Sequence, residues 1–230
     1  LVYGKQAKLL IQQKKALPLA RDMGFLNFEI QSKNKSKETR QLLYSVSDQK
    51  SWTNSYYNNN KIVEQLNKFG GTSKSFIGLK LDNPQIMGIL NITPDSFSND
   101  NKKILSTNEA VKKAITMIEE GANIIDIGGE SSRPGAKRID SIEEQKRIIP
   151  IIKELAKYNI PISCDTRNAS TMELAIDAGA SIINDISALS DKKAAYVIAK
   201  NNVGLIIMHM KGQPNNMQNN PKYRNVSYEV

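Results

Sequence analysis

Apolar residues are distributed in two textures along the chain. From Gln85 onward, short apolar runs alternate with segments in which apolar residues recur at helical spacing, whereas neither period is clear in the first 75 residues. The runs predict five strands: Gln85–Asn91, Asn123–Gly128, Pro161–Thr166, Ser181–Ser187 and Val203–Met210. Helical spacing fills the intervals. Ser106 is placed to cap a helix whose Ala110, Val111, Ala114, Ile115 and Ile118 share one face, with Gly121 just past its end. Ser141 and Glu144 have the spacing of a capping box for a helix running to about Tyr158. Ser170 to Ala178, stopped by Gly179, and about Lys192–Lys200 complete the set. This βαβα order predicts an α/β fold with a parallel sheet.

The N-terminal part yields a sparser reading. Gly4–Leu17 predicts a helix stopped by Pro18, Phe25–Ile30 and Gln41–Val46 predict strands, and Lys61–Phe69 predicts a helix ended by Gly70-Gly71. The Ser/Lys/Asn-rich stretches at 31–39 and 53–60 read as loops or linkers. We therefore separate an N-terminal extension of unknown role, residues 1–75, from residues 76–230.

Composition narrows the function classes. Hydrophobic residues are 40% and charged residues 24% of the 230, as in an ordinary globular protein. No apolar run approaches the ~20 residues that span a bilayer, and the start has no signal-peptide pattern. The lone Cys164 has no cysteine partner for a disulfide or a zinc site, which suits a reducing cytoplasm and a small core side chain. The net charge of +9 raises the question of nucleic acid, but residues 1–84 hold 14 Lys/Arg against 6 Asp/Glu, and residues 85–230 hold 18 against 17. Those N-terminal lysines are scattered among Asn, Ser and Gln without aromatics at regular spacing. They read as a solvated surface, so neither a nucleic acid nor a membrane is expected as partner.

Five parallel strands fit either a doubly wound sheet or part of a (β/α)8 barrel. Each strand ends in polar residues: Asn91, Asp126, Asp165, Asn184 with Asp185, then His209. A ring of that kind suits the carboxyl-end face of a barrel, where all βα loops build one pocket. A doubly wound sheet would gather them around one crevice, and no GxGxxG or P-loop pattern follows the first strand. The reading is a (β/α)8 barrel type, incomplete, with about five βα units.

The motifs at those strand ends resemble a known family. Met87-Gly88-Ile89-Leu90-Asn91-Ile92-Thr93-Pro94-Asp95-Ser96-Phe97-Ser98 and Asp126-Ile127-Gly128-Gly129-Glu130-Ser131-Ser132-Arg133-Pro134-Gly135 are similar to the first two signatures of dihydropteroate synthase. Ser163-Cys164-Asp165-Thr166, Ile183-Asn184-Asp185-Ile186 and Met208-His209-Met210-Lys211-Gly212 resemble its third, fourth and fifth strands, in order. The resemblance implies an alkyl-group transferase of folate biosynthesis. It would join p-aminobenzoate to 6-hydroxymethyl-7,8-dihydropterin diphosphate and release diphosphate with the help of Mg²⁺.

By the same resemblance, Asn91 holds the Mg²⁺ through its side-chain oxygen, and Arg133 and Asp95 are the catalytic residues. Ser132 and Arg133 meet the diphosphate, which a guanidinium can bind through two oxygens. Asp165 and Asn184 accept from the pterin ring, Asp126 steadies the loop after the second strand or reaches the ring, and Ile186 and Met208 form its apolar walls. A strand-end Asn capping its own turn, a bracing Asp, a surface Arg and plain core packing are the bland alternatives. His209, the only histidine, shapes the pocket and is not read as a base.

Two departures from the family pattern bear on this reading. Asn99-Asp100-Asn101 stands where the family has Asp-Gly-Gly, so closure of the first loop is expected to differ. The family's sixth to eighth strands have no counterpart, and a truncated chain is expected, one partner being a missing C-terminal barrel half. The family is often homodimeric. The first alternative is a non-catalytic pterin-binding remnant or half of a split enzyme. The second is another pterin-binding barrel such as a methyltetrahydrofolate methyltransferase, against which Ser131-Ser132-Arg133-Pro134-Gly135 argues, because that loop serves a diphosphate. Residues 1–75 would then derive from a fused folate-pathway enzyme or be unrelated to it.

Overall fold

The computed structural model describes residues 1–20, 22–33, 39–48, 62–66, 75–81, 83–94, 104–131 and 138–230. They form two units, Leu1–Ser75 with Lys80–Asn83, and Phe76–Leu79 with Pro84–Val230.

In the first unit, β1 (Val2–Tyr3) leads into α1 (Gly4–Gln12), followed by β2 (Leu17–Ala20) and β3 (Met23–Phe25) in an antiparallel sheet of order β1-β3-β2. Val2, Ala7 and Ala16 are its buried core. The helix expected to reach Leu17 ends five residues earlier, where Lys14 turns left-handed at φ 57°. Pro18 thus does not stop a helix; it sits in β2, an edge strand, where a missing N–H is tolerated. The strands expected at Phe25–Ile30 and Gln41–Val46 form as the antiparallel pair β4 (Asn27–Lys33) and β5 (Thr39–Ser45), which carries strand structure into the predicted loop at 31–39. Residues 62–66 are helical, while the rest of Lys61–Phe69 and the stretch 53–60 lie outside the described residues.

A tight hairpin of β6 (Ser75–Phe76) and β7 (Leu79–Lys80) is divided between the units, with Phe76–Leu79 in the second, and its turn at Ile77 and Gly78 has φ of 49° and 78°. Then come β8 (Met87–Asn91), α2 (Thr107–Glu119), β9 (Ile124–Gly128), α3 (Ser141–Leu155), β10 (Ile162–Asp165), α4 (Ala169–Asp177), β11 (Ile182–Asp185), α5 (Ala194–Asn201), β12 (Gly204–Ile207) and a short α6 (Val226–Glu229). All five strands β8–β12 are parallel and lie in chain order, each beside its predecessor. A doubly wound sheet reverses its order at a switch point; this one does not, and it is of the (β/α)8-barrel type. Among the described residues no helix is long and apolar enough to cross a membrane.

The register explains why these strands read as apolar runs. Leu90, Ile127, Cys164, Ile183 and Leu205 pair in sequence across the sheet and face the helices, packing on Ala110, Ala114, Ile148, Ile152, Leu155, Met172, Ala175 and Ile198. Truncating one of these fully buried aliphatics to Ala costs about 2–5 kcal/mol. Ser106 caps α2 in a complete capping box with Glu109. The box expected from Ser141 and Glu144 does not form. Asp140 is the cap instead, accepting from the Ile142 amide at 2.8 Å, and Glu144 turns inward and is fully buried.

Candidate active site

The opposite face of the sheet carries the polar residues, and the register sorts them into rows. Asn91, Gly128, Asp165, Asn184 and Ile206 pair strand to strand as the row at the carboxyl end. Ile89, Asp126, Ser163, Ile182 and Gly204 form the row beneath. Asp126 is therefore not at a strand end, as the ring reading had it, but one row deeper. Asp185 leaves the ring as well, because its neighbour Asn184 takes the pocket-facing position. Residues 95–103 and 132–137, including Asp95, Ser132 and Arg133, lie outside the described residues.

Gly128 decides how the top row is arranged. A Cβ at this position would sit 3.2 Å from Asn91 Oδ1 and 3.3 Å from Asp165 Oδ2, so both oxygens reach toward the space that the missing side chain leaves. Two hard oxygens there fit a hard cation that takes few protein ligands and completes its shell with phosphate and water. Among the described residues no group of three or more His, Cys, Asp or Glu side chains could hold a metal alone. The next glycine has a different task. At Gly129 a Cβ would meet Ile148 Cγ2 at 2.9 Å and the Glu144 carbonyl oxygen at 3.2 Å, so α3 can close over the end of β9 only because the side chain is absent.

Below that row, the Asn184 amide donates to Asp126 Oδ2 at 3.2 Å, reaching over β10 across the concave face. Asp126 Oδ1 is buried and has no partner among the described residues. Burial pushes the Asp126 carboxyl up, against lowering pulls from the nearby Ser163 hydroxyl and from the Asn184 amide. Asp165 is pushed up to about 7, first by burial and then by the carboxylates of Asp126, Glu144, Glu130 and Asp185. Asp126 Oδ1 thus lacks a donor among the described residues, in surroundings where an unpaired carboxylate is costly. A ligand rich in N–H groups would relieve it.

The loops after β11 and β12 add a cleft of about 490 Å³ beside this row, lined by Ile186, Met208, His209, Arg138, Arg167 and Asp191 among others. Ile186 and Met208 both line this cleft, whereas Asp126, Asp165 and Asn184 do not. His209 Nε2 pairs with the Tyr223 hydroxyl at 2.9 Å. Asp185, which the sequence placed only in the polar ring, is fully buried. It accepts from the Ser187 amide and hydroxyl at 2.7 Å each and from the Leu189 amide at 2.8 Å, holding a turn in which Ala188 and Leu189 have φ of 50° and 64°. The Asp-x-Ser spacing is a recognisable signal for such a turn. Glu130 and Arg167 were also missed. They form a bidentate pair at 2.7 and 3.0 Å with side chains 12% and 13% exposed, and Glu130 also accepts from the Ile139 amide at 3.3 Å.

A family model described as pterin binding enzyme matches residues 87–230 of this chain, which covers the whole sheet and every pocket residue above. The chain belongs to the pterin-binding enzyme family. Within that family it is 46% identical over 152 residues to the dihydropteroate synthase of Neisseria meningitidis serogroup C, covering 65% of this chain and 54% of the relative. It is 51% identical over 132 residues to that of Bacillus subtilis, covering 56% and 46%. The crystal structure of Yersinia pestis dihydropteroate synthase with a sulfonamide drug complex superimposes with a TM-score of 0.61 at 42% identity, covering 67% of this chain and 57% of that one. Burkholderia cenocepacia dihydropteroate synthase complexed with 7,8-dihydropteroate gives 0.57 at 39% identity, covering 66% and 50%. The chain spans about half the length of the curated relatives it matches.

Proposed function

We propose that residues 76–230 carry the dihydropteroate synthase reaction of folate biosynthesis, joining p-aminobenzoate to 6-hydroxymethyl-7,8-dihydropterin diphosphate. The observation that carries this reading is the cluster of Asp126, Asp165 and Asn184, acceptor-rich and under-supplied with donors on the concave face. A 2-amino-4-oxopyrimidine edge offers amino and ring N–H donors to two carboxylates and an amide oxygen. Ile186 and Met208 then flank the ring. In the reaction the arylamine lone pair attacks the pterin methylene carbon. A C–N bond forms, the C–O bond breaks with its electrons going to diphosphate, and the amine proton passes to solvent.

In this assignment Asp165 and Asn184 fix the ring, Asp126 braces Asn184 from the row beneath, and Ser132 and Arg133 meet the diphosphate. Asp95 and Arg133 act at the reacting centre. Asn91 would hold a Mg²⁺, which supplies charge neutralisation for the departing diphosphate. The arylamine is largely neutral near pH 7, so no base is required before attack, and His209, held by Tyr223, needs no catalytic part. The protein acts in the cytoplasm on small molecules.

The test is to incubate the chain with the pterin diphosphate, Mg²⁺ and p-aminobenzoate and to assay dihydropteroate, alongside calorimetric binding of 6-hydroxymethyl-7,8-dihydropterin. Turnover is expected, with turnover and pterin affinity both lost in Asp165→Ala. Pterin binding without turnover would overturn the condensation and retain pterin recognition. No binding by the unaltered chain would overturn both.

A further inference from the structure

The turn after Asp165 is held by a carboxylate that the reaction itself does not use. Glu144 is fully buried on the first turns of α3, and its Oε2 accepts from Thr166 Oγ1 at 2.9 Å, Asn168 Nδ2 at 2.9 Å and Thr171 Oγ1 at 2.7 Å. A fully buried carboxylate is normally stabilised by a cation, and among the described residues no salt bridge to Glu144 is formed. Three charge-assisted hydrogen bonds do that work here. Two of the three donors, Thr166 and Asn168, belong to the turn that begins directly after Asp165. The Thr166 hydroxyl also receives the Asn168 amide at 3.2 Å, and the Thr166 amide donates to the Asn184 carbonyl at 3.1 Å. Glu144, Thr166 and Asp165 also line one small cavity of about 10 Å³ with Glu130 and Arg167.

We propose that Glu144 is a positioning residue for Asp165: through Thr166 and Asn168 its carboxylate fixes the turn that aims the Asp165 side chain at the pterin. The idea rests on the reading of Asp165 as a ring acceptor. The close approach allowed by Gly129 delivers Glu144 to this place from α3, so the helix of one βα unit orients the ligand-facing residue of the next.

Thr166→Val and Thr171→Val separate positioning from packing. Both remove one hydroxyl from the same Glu144 oxygen at nearly the same volume, but only Thr166 adjoins Asp165. Thr166→Val and Glu144→Gln are expected to weaken 6-hydroxymethyl-7,8-dihydropterin binding about tenfold or more, while Thr171→Val lowers the melting temperature similarly and changes affinity less than twofold. Amide hydrogen exchange without ligand gives a readout independent of pterin recognition. The Thr166 and Asn168 amides should exchange faster in Thr166→Val and Glu144→Gln but not in Thr171→Val. Equal affinity losses for the two valine variants, or unchanged exchange at Thr166 and Asn168, overturns the proposal. Failure of the unaltered chain to bind pterin overturns instead the reading on which it rests.

Discussion

At the residue scale, Asn91, Asp165 and Asn184 could be found because each ends an apolar run and stands in a long motif. What they do for one another could not, since it depends on Gly128 and on register between strands some 20–40 residues apart. Two predictions follow from that geometry. A methyl placed at Gly128 occupies the spot toward which the Asn91 and Asp165 oxygens reach. Gly128→Ala is therefore expected to weaken Mg²⁺-dependent binding of the pterin diphosphate at least tenfold with a small change in melting temperature, measured by calorimetry with and without Mg²⁺. For Asp165, the folded carboxyl at about 7 lies above its ordinary 3.8, so the folded state binds the proton more tightly than the unfolded chain. Its contribution is fully favourable below about pH 4 and is lost as pH rises through about 7. Asp165→Asn should flatten this slope. In metal-free buffer it is expected to raise stability at pH 8 by about 1–3 kcal/mol relative to the unaltered chain, with little gain at pH 4.5, while pterin affinity falls. A parallel pH dependence in both proteins would show that the carboxyl is not raised.

At the element scale, the five strands and their helices were legible because each is buried on the helix side by an unbroken apolar run. Strand ends were overrun by one to three residues, since Thr166, Ile186-Ser187 and Met208–Met210 continue the sequence pattern of their strands beyond the last paired residue. Glu144 was misread for a physical reason. Ser-x-x-Glu spacing serves a capping box, but Asp140 one residue earlier competes successfully for the cap, and a buried set of hydroxyl donors takes the glutamate. The Glu130–Arg167 pair was invisible because its members lie 37 residues apart on different βα loops. It straps the loop after β9 to the turn after β10. Removing one partner leaves a largely buried charge, so Arg167→Met is expected to cost roughly 3 kcal/mol. The double variant Glu130→Met/Arg167→Met should recover most of that loss. Chemical denaturation of the four proteins in the cycle checks it, and additive losses would show that the pair is not coupled.

At the scale of the whole molecule, the sheet has two ends with different duties. The carboxyl end carries the candidate pocket. At the amino end, Gly204 opens β12, and a Cβ there would meet Ile77 Cγ1 at 2.7 Å and Phe76 Cζ at 2.8 Å, so the β6–β7 hairpin packs against bare backbone. Ile77 is β-branched and sits at φ 49°, a conformation that strains such a residue, and its half-buried side chain packs against Gly204. None of this was legible in the sequence, where Phe76, Ile77 and Gly78 precede the first recognisable strand and carry no period. Barrel enzymes divide function and stability between opposite ends in this way. Gly204→Ala is therefore expected to destabilise by about 1–3 kcal/mol, because the hairpin must shift or its side chains leave their rotamers. Pterin affinity, measured well below the melting transition, should stay within twofold. A loss of affinity matching the loss of stability would mean that strain at the amino end reaches Asn184 and Asp165 along β11 and β10, and that the two ends are not independent.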